Sequence, residues 1–321
     1  MRNKILFIGS NASFNAKLSA QLMEKGYETL FCPNGKGAIE LINANASSLE
    51  GSGIVIDLKL TDISGIRFGE LINLLYPSAV IAYYNSSNGE YNGEEKSVSP
   101  LLPEPLTSTA LISELEKLSP SGNNLPAEKP ARDGADAFAL IKINQGASFF
   151  KIFSELNSIK NVVHCDATKG DIDIFVQIHA GSQEECSKIF DGQIKTIDGI
   201  KGGELLFISE PELNGRMKEI IHSAGILLPA EAWETARSSK ELVCSYLVAS
   251  IDKEKIQNAL PLIKLKNNVV YCDYTRGKYN VVLMVKGKQF VQIDKFIESQ
   301  MLNLEGILKV KEYPVINIYE M

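Results

Sequence analysis

A chain of 321 residues exceeds one ordinary domain, and its 45% hydrophobic content is enough to bury roughly two or three cores. The formal charge of −6 and pI near 5.4 exclude a chain dominated by a nucleic-acid-binding face, because affinity for phosphate backbones comes from clustered Lys and Arg. The five cysteines, Cys32, Cys165, Cys186, Cys244 and Cys272, form no CxxC pair or zinc spacing and read as reduced thiols of a cytoplasmic protein, and no run of about 18 apolar residues marks a membrane span.

Lys4 to Gly9 is a continuous apolar run ending in Gly9-Ser10-Asn11, the pattern of a strand buried on both faces of a parallel sheet. Leu18 and Leu22, with the stop at Gly26, predict a helix; Tyr27 to Cys32 predicts a second strand, and Ala38 to Ile42 starts a second helix. Gly53 to Asp57 reads as a third buried strand, Ile66 to Leu75 as a third helix and Ala79 to Tyr84 as a fourth strand. Residues 86 to 96 read as a loop, Val98 to Leu102 as a fifth strand and Leu106 to Leu118 as the last helix. This alternation implies an α/β domain over residues 1–118 with a doubly wound parallel sheet, whose functional groups lie at the carboxyl ends of the strands. Gly35-Lys36-Gly37 lacks the third glycine and the register of a phosphate loop, and Gly9-Ser10-Asn11 reads as a plain strand-to-helix turn.

Asp57 closes the third strand, Leu60 follows three positions on, and Gly65 follows eight positions on. In that spacing, and in Gly26-Tyr27, Gly35 before Ala38 and Glu104-Pro105, the segment resembles the receiver domain of response regulators, the CheY-like family with a flavodoxin-like fold. The resemblance implies a phospho-acceptor at Asp57 with Mg²⁺ beside it. A working receiver also carries an acidic pair after the first strand, Thr or Ser at the end of the fourth, and Lys before the proline. Here those positions are Gly9 and Ser10, Tyr84, and Glu104. Phosphoryl transfer needs metal and cationic groups to neutralise the transferring oxygens, and Mg²⁺ is held by one or two carboxylates plus waters. With Asp57 alone and Glu104 adding negative charge, the pocket is expected to bind Mg²⁺ and phosphate poorly. The segment therefore reads as a pseudo-receiver that contacts a protein partner, the alternative being a phosphorylatable response regulator with Asp57 as acceptor.

A Pro- and Gly-bearing stretch over residues 119–135 reads as a semi-extended linker. Beyond it, Asn161 to Gly170 returns 107 residues later as Asn268 to Gly277 with seven of ten positions identical. One module therefore stands twice, at 136–209 and 241–321, joined by a helical connector at 210–240 in which Trp233 reads as a packing anchor. At the same offset Leu140 pairs with Leu247, Ile141 with Val248 and Ile174 with Val281. Each copy reads βαββαβ, the α+β ferredoxin-like order, with hairpins at Lys169-Gly170-Asp171 and Arg276-Gly277-Lys278 whose glycines supply positive φ. One such unit leaves a sheet face bare. Phe138, Leu140, Val163 and Ile174 are expected on that face, with the second copy covering them as in a pseudo-two-fold dimer.

Ala137-Phe138, Gly146, Asn161-Val162-Val163, Lys169 to Asp173 and Asp198-Gly199-Ile200 resemble the effector-binding (RAM, ACT-like) domain of the Lrp/AsnC regulators, over 136–209 and more loosely in the second copy. The resemblance implies homo-oligomerisation and a small-molecule effector, such as an amino acid, bound near the hairpin glycine. That places Gly170, Asp171 and Asp173, and in the second copy Gly277 and Asn280, as effector-binding positions. Asn280 departs from the family's Asp. The helix-turn-helix of that family is absent, a receiver-like segment standing in its place, so direct contact with nucleic acid is not expected.

No catalytic constellation survives inspection. His164 and Cys165 are neighbours on a strand and point to opposite faces, and His179 and His222 have no partner legible in the sequence. The whole reads as a non-enzymatic signalling protein without a cofactor, apart from Mg²⁺ at Asp57. A ferredoxin-like enzyme and a purely structural adaptor remain as alternatives.

Overall fold

The computed structural model describes residues 4–44, 49–86, 100–102, 106–118, 134–228, 232, 235–236 and 238–316. Val98, Glu104, Trp233 and most of the expected loop and linker lie outside these. The chain forms two compact units: Met1–Glu128 with Leu213–Leu227 and Leu260–Asn267, and Lys129–Glu212 with Leu228–Ala259 and Asn268–Met321.

In the first unit, β1 (Lys4–Ile8), β2 (Glu28–Cys32), β3 (Gly53–Asp57) and β4 (Val80–Tyr84) form a parallel sheet of order β2-β1-β3-β4. Leu101 adds a parallel bridge to Tyr83 on the outer side of β4, so the order continues as that of a doubly wound receiver-like fold. Ile5, Phe7 and Val55 bury one face with Leu18 and Leu22 of α1 (Ala12–Met23) and Leu111 and Leu115 of α4 (Ser108–Lys117). Leu6, Ile8, Ile54 and Ile56 are just as buried and point the other way, where α2 (Gly35–Ala44) and α3 (Gly65–Leu75) lie. Burial on both sides is why these strands read as unbroken apolar runs. The helix Gly215–Ile226, from the connector, belongs to this unit; Met217, Ile220, Ile221 and Ala224 are buried, and the Arg216 guanidinium stands 5.3 Å from the centre of the Tyr76 ring.

In the second unit, β5 (Ala135–Ile143), α5 (Phe149–Ser158), β6 (Val162–Ala167), β7 (Ile174–Ala180), α6 (Gln183–Ile189) and β8 (Ile200–Ile208) make the first βαββαβ copy. The second copy is β9 (Val243–Ile251), α7 (Ile256–Lys264), of which the part from Leu260 on is counted in the first unit, β10 (Val269–Arg276), β11 (Val281–Gly287), α8 (Phe290–Phe296) and β12 (Ile307–Pro314). Even a detail is duplicated: α6 and α8 each run into a single π turn, over Phe190–Ile194 and Ile297–Met301. The eight strands are ordered β12-β9-β11-β10-β8-β5-β7-β6. Ile208 pairs with Thr275 across one seam, and Val315 bridges Thr168 across the other. Thr168 and Thr275, like Ile208 and Val315, are 107 residues apart, so one contact is made twice about a pseudo-two-fold axis and the sheet closes on itself.

Inside that closure Phe138, Leu140, Phe175 and Leu206 of the first copy pack on Tyr246, Val248, Val282 and Tyr313 of the second. Phe175 and Tyr246 stack with ring centres 4.4 Å apart. The second copy does cover Phe138 and Leu140. Two of the expected residues behave otherwise: Ile174 turns to the helix side, among Cys165, Ile152 and Ile189, and Val163 is only half-buried.

The pairing of Leu140 with Leu247 and of Ile141 with Val248 is also corrected. Ile141 sits opposite Ile174, whereas Val281 sits opposite Ala249, so on the first strand the copies correspond at an offset of 108: Phe138 with Tyr246, Leu140 with Val248. Side chains alternate between faces along a strand, so a slip of one residue would send every interior side chain to the helix side. Burial therefore decided the register. All five cysteines are buried, and none forms a disulfide.

Candidate functional site

Asp57 is wholly buried where β3 meets the carboxyl edge of the parallel sheet. Its Oδ1 accepts from the Lys59 N–H at 2.9 Å and from the Ser86 N–H at 3.3 Å; Oδ2 is buried and makes no hydrogen bond among the described residues. Gly65 passes so close that a Cβ on it would collide with the Asp57 carbonyl oxygen, which accounts for a glycine at that spacing. The space beside Gly9 is filled by Tyr84. A Cβ on Gly9 would collide with the Tyr84 hydroxyl and lie 3.0 Å from the Asp57 Cβ. Burial and then the neighbouring Asp57 carboxylate hold the Tyr84 phenol well above its ordinary pKa, and a hydrogen bond with Asn15 offsets part of this. A neutral phenol therefore lies where a receiver's acidic pair stands. Among the described residues no group of three His, Cys, Asp or Glu converges to hold a metal, and the Tyr84 hydroxyl takes the space at Gly9 where a receiver has an acidic side chain. Ser10 is exposed, and Glu104 lies outside the described residues.

The Gly35-Lys36-Gly37 turn opens α2, but its amides are already taken. Asp62 accepts from the Gly35 N–H at 3.0 Å and the Lys36 N–H at 2.8 Å, so a carboxylate of the chain itself fills the place an anion would use.

The expected effector positions divide into three kinds. Gly170 (φ 141°) and Gly277 (φ 151°) turn the two hairpins in the region open to glycine, and each lies against the last strand of the other copy. A Cβ would come within 3.2 Å of the Tyr313 ring at Gly170, and within 2.6 Å of Leu206 Cδ2 at Gly277. Asp173 and Asn280 tie their copy's strands together: Asp173 Oδ2 accepts from the Ile143 N–H, and Asn280 Oδ1 from the Ile251 N–H, each at 2.8 Å, while Asn280 Nδ2 donates to the Ile251 carbonyl at 2.6 Å. Asp171 alone lines a cavity.

That cavity, of about 370 Å³, opens where the two copies meet beside both hairpins. Leu140, Ile172, Tyr279 and Tyr313 form its buried floor. Lys142, Lys201, Lys278 and Lys311 line it together with Asp171 and Glu204, and Gly202-Gly203 leaves one wall without side chains. Lys311 Nζ lies 2.5 Å from Asp171 Oδ2 and Lys142 Nζ 3.8 Å from it. The Lys311 hydrogen bond holds the Asp171 carboxyl below its ordinary range. Reading the sequence missed these lysines. Each is one cation on an otherwise ordinary strand or turn, and only strand register brings them together; the Lys201-Gly202-Gly203-Glu204 run was the one local signal.

His179, without a partner in the sequence reading, has one in space: its Nδ1 is 3.0 Å from Asp136 Oδ1. Cys165 is buried on the helix side of the sheet, and the carboxylate of its neighbour Asp166 accepts from Tyr246 Oη at 2.7 Å.

Residues 136–214 match the family model described as the Lrp/AsnC ligand binding domain. This segment is an Lrp/AsnC-type ligand-binding domain. The second copy lies beyond the match and is tied to it by the duplication and the shared fold. Among solved structures, the chemotaxis response regulator CheY4 of Vibrio cholerae is 21% identical, covering 36% of this chain and 98% of that one at a TM-score of 0.30. E. coli AsnC is 22% identical, covering 26% of this chain and 56% of that one at a TM-score of 0.23. The siroheme decarboxylase NirDL is 13% identical, covering 57% and 71% at a TM-score of 0.40. A search of the curated proteins finds no match. The chain joins a unit with a receiver-like fold to a segment that matches the Lrp/AsnC ligand binding domain and to a repeat of that segment, and no helix among the described residues is long and apolar enough to cross a membrane.

Proposed function

We propose that this protein is a non-enzymatic signalling component in which the tandem Lrp/AsnC-type repeats bind a small effector and the receiver-like domain acts by protein contact without phosphorylation. The observation that carries the second half is Tyr84 lying over Gly9. Restoring an acidic side chain there would require moving the phenol, and Asp57 without it is a poorer holder of the Mg²⁺ that would neutralise a transferring phosphoryl group. Supporting the first half is the cavity beside both hairpins, concave, apolar at its floor and polar at its rim, as small-molecule sites are. Repeats of this type also suit assembly into homo-oligomers.

The alternative, a response regulator with Asp57 as acceptor, is separated by one experiment. Incubation with acetyl phosphate and Mg²⁺ followed by intact mass measurement is expected to show no stoichiometric gain. A gain abolished in Asp57→Asn would establish phosphorylation and overturn the pseudo-receiver reading. The effector half is tested by thermal shift against amino acids and small metabolites, since a ligand selective for the folded state raises the melting temperature by mass action. An adaptor that binds nothing small would give no shift across the set.

A further inference from the structure

The cavity beside the hairpins is not symmetric, and its asymmetry is one of charge. Glu204 and Lys311 occupy equivalent places in the two copies, as do Asp171 and Lys278, each pair 107 residues apart. Lys201 corresponds to Leu308, and Lys142, on the strand with the longer offset, to Ser250. Gly202-Gly203 corresponds to Lys309-Val310, so the wall that is bare on the first copy carries side chains on the second. Lys142, Lys201 and the open space therefore fall together on one side of the pseudo-two-fold axis, and the other side has Ser250, Leu308 and Lys309 in their places.

Asp171 is compensated by Lys311, with which it forms an ion pair. Asp171 also has Lys142 at 3.8 Å, so the four lysines stand against two carboxylates, Asp171 and Glu204, an excess of positive charge in a chain whose net charge is −6. Among the described residues Lys201 makes no ion pair, and the ammonium of Lys278 lies 5.7 Å from the centre of the Tyr279 ring beside it. Like charges gathered around one cavity repel each other; water and salt screen part of that cost, and a bound counter-charge relieves more of it.

We infer that this cavity binds one small polyanion per chain, a molecule with two or more carboxylate or phosphate charges set against Lys142, Lys201 and Lys278 and its remaining surface on Leu140, Ile172 and Tyr279. The inference rests on the effector reading above and narrows it to a ligand class. Each lysine contributes a charge-assisted hydrogen bond, and losing one weakens binding by about tenfold or more. The stoichiometry is one because the second copy lacks the glycine wall and two of the lysines.

The test is calorimetric titration and thermal shift of the full chain with inorganic pyrophosphate, citrate, leucine and asparagine, repeated on Lys201→Gln, on Lys201→Gln with Lys278→Gln, and on Lys253→Gln as a surface control away from the cavity. Expected are one pyrophosphate or one citrate per chain, a loss of at least tenfold in the double variant, and unchanged binding in Lys253→Gln. Whichever of the two anions binds more tightly assigns the site to phosphate or to carboxylate chemistry. Lys201 is exposed, so its single variant folds and carries the test if the double variant does not. Binding of leucine or asparagine that is indifferent to the lysines would keep the effector reading and overturn the polyanion site. Two equivalents per chain would overturn the asymmetric site, and no response to pyrophosphate or citrate would overturn the polyanion site, while the effector reading is decided separately by the wider thermal-shift screen.

Discussion

The exchange of a receiver's acidic pair for Gly9 and Ser10 is legible as a loss, but the tyrosine at the end of β4 gives it a cause in space. Gly9→Ala should cost about 1–3 kcal/mol because its methyl group collides with the Tyr84 hydroxyl. The same change made in Tyr84→Phe should cost less, and chemical denaturation of the four proteins would give a coupling of about 0.5 kcal/mol or more; strict additivity would remove Tyr84 from the pocket. A second residue shows what burial does to a charge. Lys266, in the first compact unit, is 3% exposed and donates to the Asp62 carbonyl at 2.8 Å. Desolvation lowers its pKa from 10.5 to about 8 against the opposing pull of the Asp62 carboxylate. Above pH 10.5 the amine is neutral folded or unfolded; between 10.5 and about 8 only the unfolded chain takes the proton; below about 8 both carry it. Stability should therefore rise with pH by roughly 3 kcal/mol across that window relative to Lys266→Met, at about 1.4 kcal/mol per unit. Urea titrations of both proteins from neutral to alkaline pH measure it, and a constant difference would contradict the buried, deprotonating lysine.

At the scale of the element, the hairpins and first strands explain which repeated residues had to stay. Asn161 and Asn268 donate to the His179 and Lys286 carbonyls, and Thr168 and Thr275 to the Ile172 and Tyr279 carbonyls, so these two identities between the copies are backbone ties. Asp173 and Asn280 hold the end of each first strand, the former at the register break between Lys142 and Ile143. Asp173→Asn should thus be near neutral, since an amide already does this work in the second copy. Asp173→Ala should lose about 1–3 kcal/mol by leaving the Ile143 N–H without its acceptor. Thermal unfolding of the two variants checks this. Equal loss in both would point to the carboxylate charge and return Asp173 to the ligand contacts. The spacing of these residues was visible in the sequence, whereas their use was not, because a carboxylate at a hairpin serves a ligand or a backbone amide with the same local pattern.

At the scale of the whole molecule, each copy is half of a closed sheet. Separated from the second copy, residues 134–212 would expose Phe138, Leu140, Phe175 and Leu206, which the second copy now covers. That fragment is expected to pair with itself or precipitate, and light scattering showing a stable monomer would contradict the shared interior. The sequence by itself determined the element types, the doubly wound and βαββαβ orders, the duplication and the missing acidic pair, because each is written in local periodicity or in identity at a fixed spacing. Tertiary structure alone decided three things. It set the offset of 108 on the first strand, because interior burial chooses between registers that look alike along the chain. It put the Tyr84 phenol over Gly9 and drew Lys142, Lys201, Lys278 and Lys311 to one cavity, because strands distant in sequence meet only when the sheet forms.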